Sequence, residues 1–251
     1  MSNNKVNIFD LQYRADKNFL PDKKNLWKMP ESETGWVLAH NAIREEIKSM
    51  KNVLDKLTVP LQKWQIECLQ KWWNGHYIHI MEHHKNEDNQ LNPFIKTRVN
   101  YPDKLETDHI ELLEILNAIS EDIENLKEND LVEELKVKWG NYELKMLPHL
   151  QEEEDIGLPL LMAYFTPKEV NQVTEKFLKD ADKRSLGSFV HWMGNKNECL
   201  KFQKNEGIPW FVWYIPNSGF KALRNHYRET MVSMIDSLLE NKIVNSKHKK
   251  K

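Results

Sequence analysis

Four separate stretches of this 251-residue chain carry apolar residues at alternating steps of three and four. The first reads His40, Ile43, Ile47, Met50, Leu54, Leu57, and the second Ile66, Leu69, Trp73, His76, Ile80, His83, Glu87. The third reads His109, Leu112, Leu116, Ile119, Ile123, Leu126, and the fourth Leu135, Trp139, Tyr142, Met146, His149, Glu153. Such steps keep residues on one face of an α-helix, the seam that helix bundles bury. Four stripes joined by short connections predict an all-α protein, an antiparallel up-down four-helix bundle.

Boundary signals place the helices. The first begins near residues 32–34 and ends before Pro60. The second covers about 61–88 and stops at the breaker Asn89-Gln90-Leu91-Asn92-Pro93, a loop over 93–103 leading into the third. The fourth follows Asn129-Asp130, carries an internal Pro148 that should kink it, and ends near Gly157-Leu158-Pro159. The domain reading is an N-terminal arm over 1–32, the bundle over 33–157, a helical extension packed on it over 158–240, and a basic tail over 241–251. In the arm the opening Ser2-Asn3-Asn4 is expected to be disordered, with Phe9, Leu20, Trp27 and Met29 as apolar anchors.

Composition excludes several classes. Lys plus Arg total 36 against 38 Asp plus Glu, which gives no electrostatic footprint for nucleic acid. No apolar run approaches the ~18 residues of a membrane span, and the start lacks the pattern of a secretory signal. Two cysteines, Cys68 and Cys199, build no disulfide framework and suggest no zinc site. A cytoplasmic protein without nucleic-acid or membrane partners is expected.

The polar members of the stripes are not scattered. His40 and His109 stand near helix starts, whereas His83 with Glu87 and His149 with Glu153 stand near helix ends. In an up-down bundle these positions share one layer. An imidazole and a carboxylate at i, i+4 are about one helical turn apart and can ligate one metal or two adjacent ones. Buried and unpaired, the six groups would be costly, so an ion or a hydrogen-bond network must compensate. Mixed N/O donors without thiolate suit iron, with manganese as the other candidate. Two carboxylates able to bridge fit a dinuclear centre better than a single ion.

His40, His83-His84-Lys85-Asn86-Glu87, Asp108-His109 and His149-Leu150-Gln151-Glu152-Glu153 resemble, in order, the ligand pattern of the hemerythrin-like (HHE cation-binding) family. The resemblance covers about residues 33–157. It implies a non-heme di-iron site of His40, His83, Glu87, His109, His149 and Glu153 that binds or senses dioxygen, a related small molecule or iron. The oxygen carriers of that family have a second His one turn after the helix-three ligand; here Leu113 stands there. That leaves an open coordination position, or one that His84 fills from the adjacent face. The other reading is a di-iron oxidase or oxygenase acting on a small apolar substrate, with the extension as a lid.

Other residues have narrower expectations. His79, one turn before His83, reads as a helix-surface residue or a support for the ligands. His76 and Tyr142, at matching positions of their stripes, are expected to meet in the core and hydrogen bond. Glu152 and Glu154 read as a solvated face, Arg44 as a surface ion pair or a partner of a ligating carboxylate, and His191 and His226 as structural. Within the extension, Thr166-Pro167-Lys168-Glu169 opens a helix running to about 180. Short helices follow near 185–194 and 196–204, and an amphipathic docking helix over 217–240. The most apolar run, 208–216, is expected to be irregular and to pack onto the bundle, or to cover the mouth of the metal site.

Overall fold

The computed structural model describes residues 7–15 and 27–242. Expectations for residues 2–4, Leu20 and the tail beyond 242 lie outside them. The described residues are helical throughout, apart from connections and one isolated antiparallel bridge between Arg14 and Val99. None of these helices is long and apolar enough to cross a membrane.

Four long helices carry the four stripes: α1 (Gly35–Lys56), α2 (Lys63–Asn86), α4 (Asp103–Asn125) and α5 (Glu133–Glu152). Thr34 caps α1 by accepting from Val37 N, and Gln62 with Gln65 form a reciprocal cap on α2. α5 packs against α1 and α4, and α4 against α2. Every apolar stripe residue but Leu126 is buried, and all share one continuous core. Each fully buried aliphatic or aromatic side chain there contributes roughly 1.5–3 kcal/mol over its exposed state. α5 runs unbroken through Pro148; the carbonyl that this proline leaves without a donor belongs to Leu144, which is 74% exposed.

Two expected helix ends are not ends. α2 passes through a π-helical turn at Glu87–Leu91 into α3 (Asn92–Lys96), and α5 through a second at Glu153–Gly157 into α6 (Leu158–Tyr164). Each wide turn closes with an N–H, from Asn92 or Leu158, donating to the carbonyl of the glutamate that opens it. Proline follows at once, Pro93 or Pro159, at the start of the new α-segment where a missing N–H costs little. The breaker signal was real, but a π-turn absorbs it. α3 and α6 then build a second apolar cluster with Trp27, Val99, Tyr101, Leu105 and Phe165 beyond the glutamates.

The extension comprises α7 (Pro167–Asp180), α8 (Lys183–Trp192), α9 (Lys196–Asn205), α10 (Phe220–Tyr227) and α11 (Ser233–Glu240), with a π-turn at Arg228–Val232. α8 and α11 each pack against both α1 and α2, and Tyr227, Met231, Ile235 and Leu238 belong to the main core. The run 208–216 differs from expectation. It forms a 3-10 turn at Trp210–Tyr214 in which Trp213 alone is buried, beside Phe202 and Leu38, while Trp210, Phe211, Tyr214 and Ile215 are exposed. Prolines on both flanks keep it from a longer helix that could lay one face on the core.

Candidate metal centre

His40 stands one and a half turns into α1, His83 and His84 at the end of α2, His109 in the second turn of α4, and His149 at the end of α5. Glu87 and Glu153 each open a π-turn one helical turn later. All but the half-buried His83 are buried, and they meet in one layer between the main core and the α3–α6 cluster.

The six residues singled out by the spacing come together, and His84 joins them. Two groups have donor atoms mutually within 4.8 Å: His40, His83, Glu87 and Glu153, and His84, His109 and His149. Glu153 faces both, its Oε2 3.4 Å from His40 Nε2 and its Oε1 3.4 Å from His149 Nε2 and 3.7 Å from His109 Nε2. Glu87 Oε2 lies 3.4 Å from His83 Nε2 and 3.7 Å from His109 Nε2. His84 stacks on His109, ring centroids 4.1 Å apart. Its side chain reaches the cluster although its helix position is a third of a turn from that of His83.

These separations are long for hydrogen bonds. Two donors each ~2.1 Å from one ion stand roughly 3.0–3.4 Å apart. His40 Nε2, His83 Nε2, His84 Nε2, Glu87 Oε2 and Glu153 Oε2 are all buried without a hydrogen-bond partner. Each buried polar atom so left costs about 1–3 kcal/mol. Five of them lie in one layer, and buried His/Glu groups of this kind could hold a metal ion.

The metal-free electrostatics are frustrated. Burial opposes charge on His40 and His109, but the surrounding carboxylates outweigh it and lift both from 6.5 to about 9. Burial and then Glu153 push Glu87 up to about 7, while neighbouring imidazoles, acting against burial, hold Glu153 below the usual range. Burial and the neighbouring imidazoles drive His83 and His84 well below 6.5. His149 is lowered too, chiefly by burial. A bound cation would relieve this by taking the place of the protons as the positive charge.

The second π-turn residues orient the imidazoles. Glu154 Oε1 accepts from His40 Nδ1 at 2.9 Å and from Arg44 Nη1 at 2.7 Å; Asp88 Oδ1 accepts from His109 Nδ1 at 2.8 Å. Glu154 is therefore not on a solvated face, and Arg44 serves Glu154 rather than a ligating carboxylate. Six positions correspond at one constant spacing between the two halves: Trp73 with Trp139, His76 with Tyr142, His83 with His149, Glu87 with Glu153, Asp88 with Glu154, Pro93 with Pro159. That internal correspondence was readable in the sequence and would have flagged Asp88 and Glu154.

A second buried cluster lies deeper. Glu46 Oε2 accepts from His76 Nδ1 at 2.6 Å and His79 Nδ1 at 3.1 Å; Glu46 Oε1 accepts from Ser188 Oγ at 2.5 Å and Tyr227 OH at 2.9 Å. His76 Nε2 meets Tyr142 OH at 3.0 Å, the expected pair. His79 is neither a surface residue nor a support for the ligands; it belongs to Glu46. Burial lowers the His76 pKa, whereas Glu46 overcomes burial to raise that of His79, and the two imidazoles hold the Glu46 carboxyl low despite its burial. Glu46 sits one position before Ile47 of the stripe and carried no signal of its own.

Compared with known proteins, the chain matches no family model, no curated protein and no solved structure.

Proposed function

We propose that the chain is a hemerythrin-like antiparallel four-helix bundle that holds a non-heme di-iron centre and binds or senses dioxygen or iron. The observation that carries this reading is the convergence of five orphaned donor atoms, on three imidazoles and two carboxylates, in a single layer that His109 and His149 complete. His40 and His83 would hold one ion, and His84, His109 and His149 the other, with Glu87 and Glu153 between them. Oxygen and nitrogen donors without thiolate favour iron, then manganese.

When bound, an iron pair would supply redox chemistry and affinity for a small ligand. The chain's own residues do the rest. Glu154 and Asp88 fix the tautomers of His40 and His109 so that each Nε2 faces inward. Burial keeps His83, His84 and His149 neutral and ready to ligate. The α3–α6 cluster excludes water from the far side of the layer.

The test is to purify the protein, count bound iron, and record its visible spectrum before and after oxygen exposure. About two irons per chain with reversible oxygen-dependent bands are expected. A protein that takes up no metal from iron or manganese sinks the reading.

A further inference from the structure

The most apolar run of the chain faces water. Trp210 is 68% exposed, Phe211 53%, Tyr214 51% and Ile215 38%, while Trp213 alone is buried. The run is nevertheless held in shape. Arg224 lies over the Trp213 ring, 5.2 Å from its centroid, and donates to the carbonyls of Val190 and Gly194. Ile208 N donates to Gln203 O at 2.7 Å and Gly219 N to Ile215 O at 2.8 Å, which closes the loop on both sides. Apolar side chains scattered singly over a surface are ordinary, but four bulky ones fixed together form a patch of the kind that meets a partner.

Charge around the patch selects the partner. The 3-10 turn packs against α9 and α10. Between residues 195 and 224 there are five Lys or Arg and two Glu, in a chain whose net charge is -2. Lys196 Nζ donates to Tyr214 OH at 2.6 Å, and Lys204 and Lys221 are exposed; Lys201 is taken by Glu33. Both acids are engaged elsewhere, Glu198 on the Asn195 N–H at the start of α9 and Glu206 on Asn171. Trp and Tyr rings, apolar with one polar edge, suit the headgroup level of a bilayer, and lysines beside them suit anionic lipid. A fluid interface accepts protruding rings without a matching groove, and its headgroups gather round separate lysines. We infer that Trp210, Phe211, Tyr214 and Ile215 insert into an anionic lipid surface, with Lys196, Lys204 and Lys221 against its headgroups. The expectation of no membrane partner rested on the lack of a spanning run, which excludes crossing a bilayer and leaves contact with its surface.

Co-sedimentation of the full chain with phosphatidylcholine vesicles, with and without phosphatidylserine, tests this. Binding is expected with the anionic lipid, together with a blue shift of tryptophan emission, and should weaken as salt rises. Trp210→Ser and Phe211→Ser replace exposed side chains, so each should keep the wild-type Tm and lose about tenfold or more in vesicle affinity. Lys204→Ala should lose about fivefold. Absence of vesicle binding, or equal binding to neutral and anionic vesicles, overturns the inference. Binding that survives Trp210→Ser and Phe211→Ser would come from charge alone, the C-terminal lysines included, and overturns it too. A concentration-dependent dimer that Trp210→Ser abolishes, without vesicle binding, would assign the patch to a second copy of the chain instead. None of these readouts involves metal, so the metal centre stands or falls separately.

Discussion

Glu154 grips His40 by Nδ1 at 2.9 Å, and so turns the Nε2 of that ring toward Glu153, its own neighbour in sequence. The same device recurs across the layer, where Asp88 holds His109 and adjoins Glu87. Each π-turn thus contributes two consecutive carboxylates, one facing the donor layer and one orienting an imidazole from a neighbouring helix.

Removing an orienting acid should weaken metal binding without removing a ligand. Glu154→Gln should lower metal affinity about 10–100-fold, the usual cost of losing such a partner. Asp88→Asn should cost less, because the Asp88 side chain is 42% exposed and water can replace it. Competition with a chelator measures both. Equal affinities in Glu154→Gln and the wild type would remove the orienting role.

Much of the layer was legible because ligand positions repeat with the helix. His40, His83, His109 and His149 fall on apolar stripes, so their depth and direction follow from periodicity alone. His84 was ambiguous because it lies off the stripe of α2, and only the local packing turns it in beside His109. Glu46 was invisible for a different reason: its partners come from α2, α8 and α10, and no local spacing encodes a contact so distant in sequence. In the sequence the π-turns look like helix ends, because Pro93 and Pro159 break an α-helix but can open a new α-segment after a wider turn.

His84 separates a seven-residue centre from the six-residue set. His84→Leu should retain the His40–His83 group and lose the opposite ion, so iron content should fall from about two per chain to about one. The stabilisation by metal should fall with it, read as the rise in Tm on loading. Two irons held as tightly as in the wild type would place His84 outside the ligand set.

The stability of the metal-free chain and the further stabilisation on metal loading should change with pH in opposite senses. His40 and His109 are raised to about 9, so the stability they contribute to the metal-free protein is complete below 6.5 and lost as pH rises through 9. Glu87, raised to about 7, adds a loss between 4.5 and 7. His83, His84 and His149, lowered instead, oppose this only up to about 6.5, where the unfolded chain has given up its protons. From pH 7 to 9 the metal-free Tm should therefore fall. Over the same range fewer protons compete for the imidazoles, so the rise in Tm on metal loading should widen. A loading effect that shrinks from pH 7 to 9 would contradict protonated His40 and His109.

Glu46 ties the extension to the bundle, since its two oxygens are shared between α2 on one side and α8 and α10 on the other. Removing the carboxylate leaves the His76 and His79 Nδ1 atoms and the Ser188 and Tyr227 hydroxyls without their acceptor in a buried site. Breaking a buried pair from one side typically costs about 3–5 kcal/mol, so Glu46→Ala should unfold at markedly lower urea. The damage should also be local at first. Amide exchange should accelerate in α8 and α10 before it does in α4 and α5, whose mutual packing contains none of these groups. Glu46→Ala with unchanged stability, or with exchange rising equally in α4 and α8, would mean that apolar packing of Met231, Ile235 and Leu238 suffices to hold the extension in place.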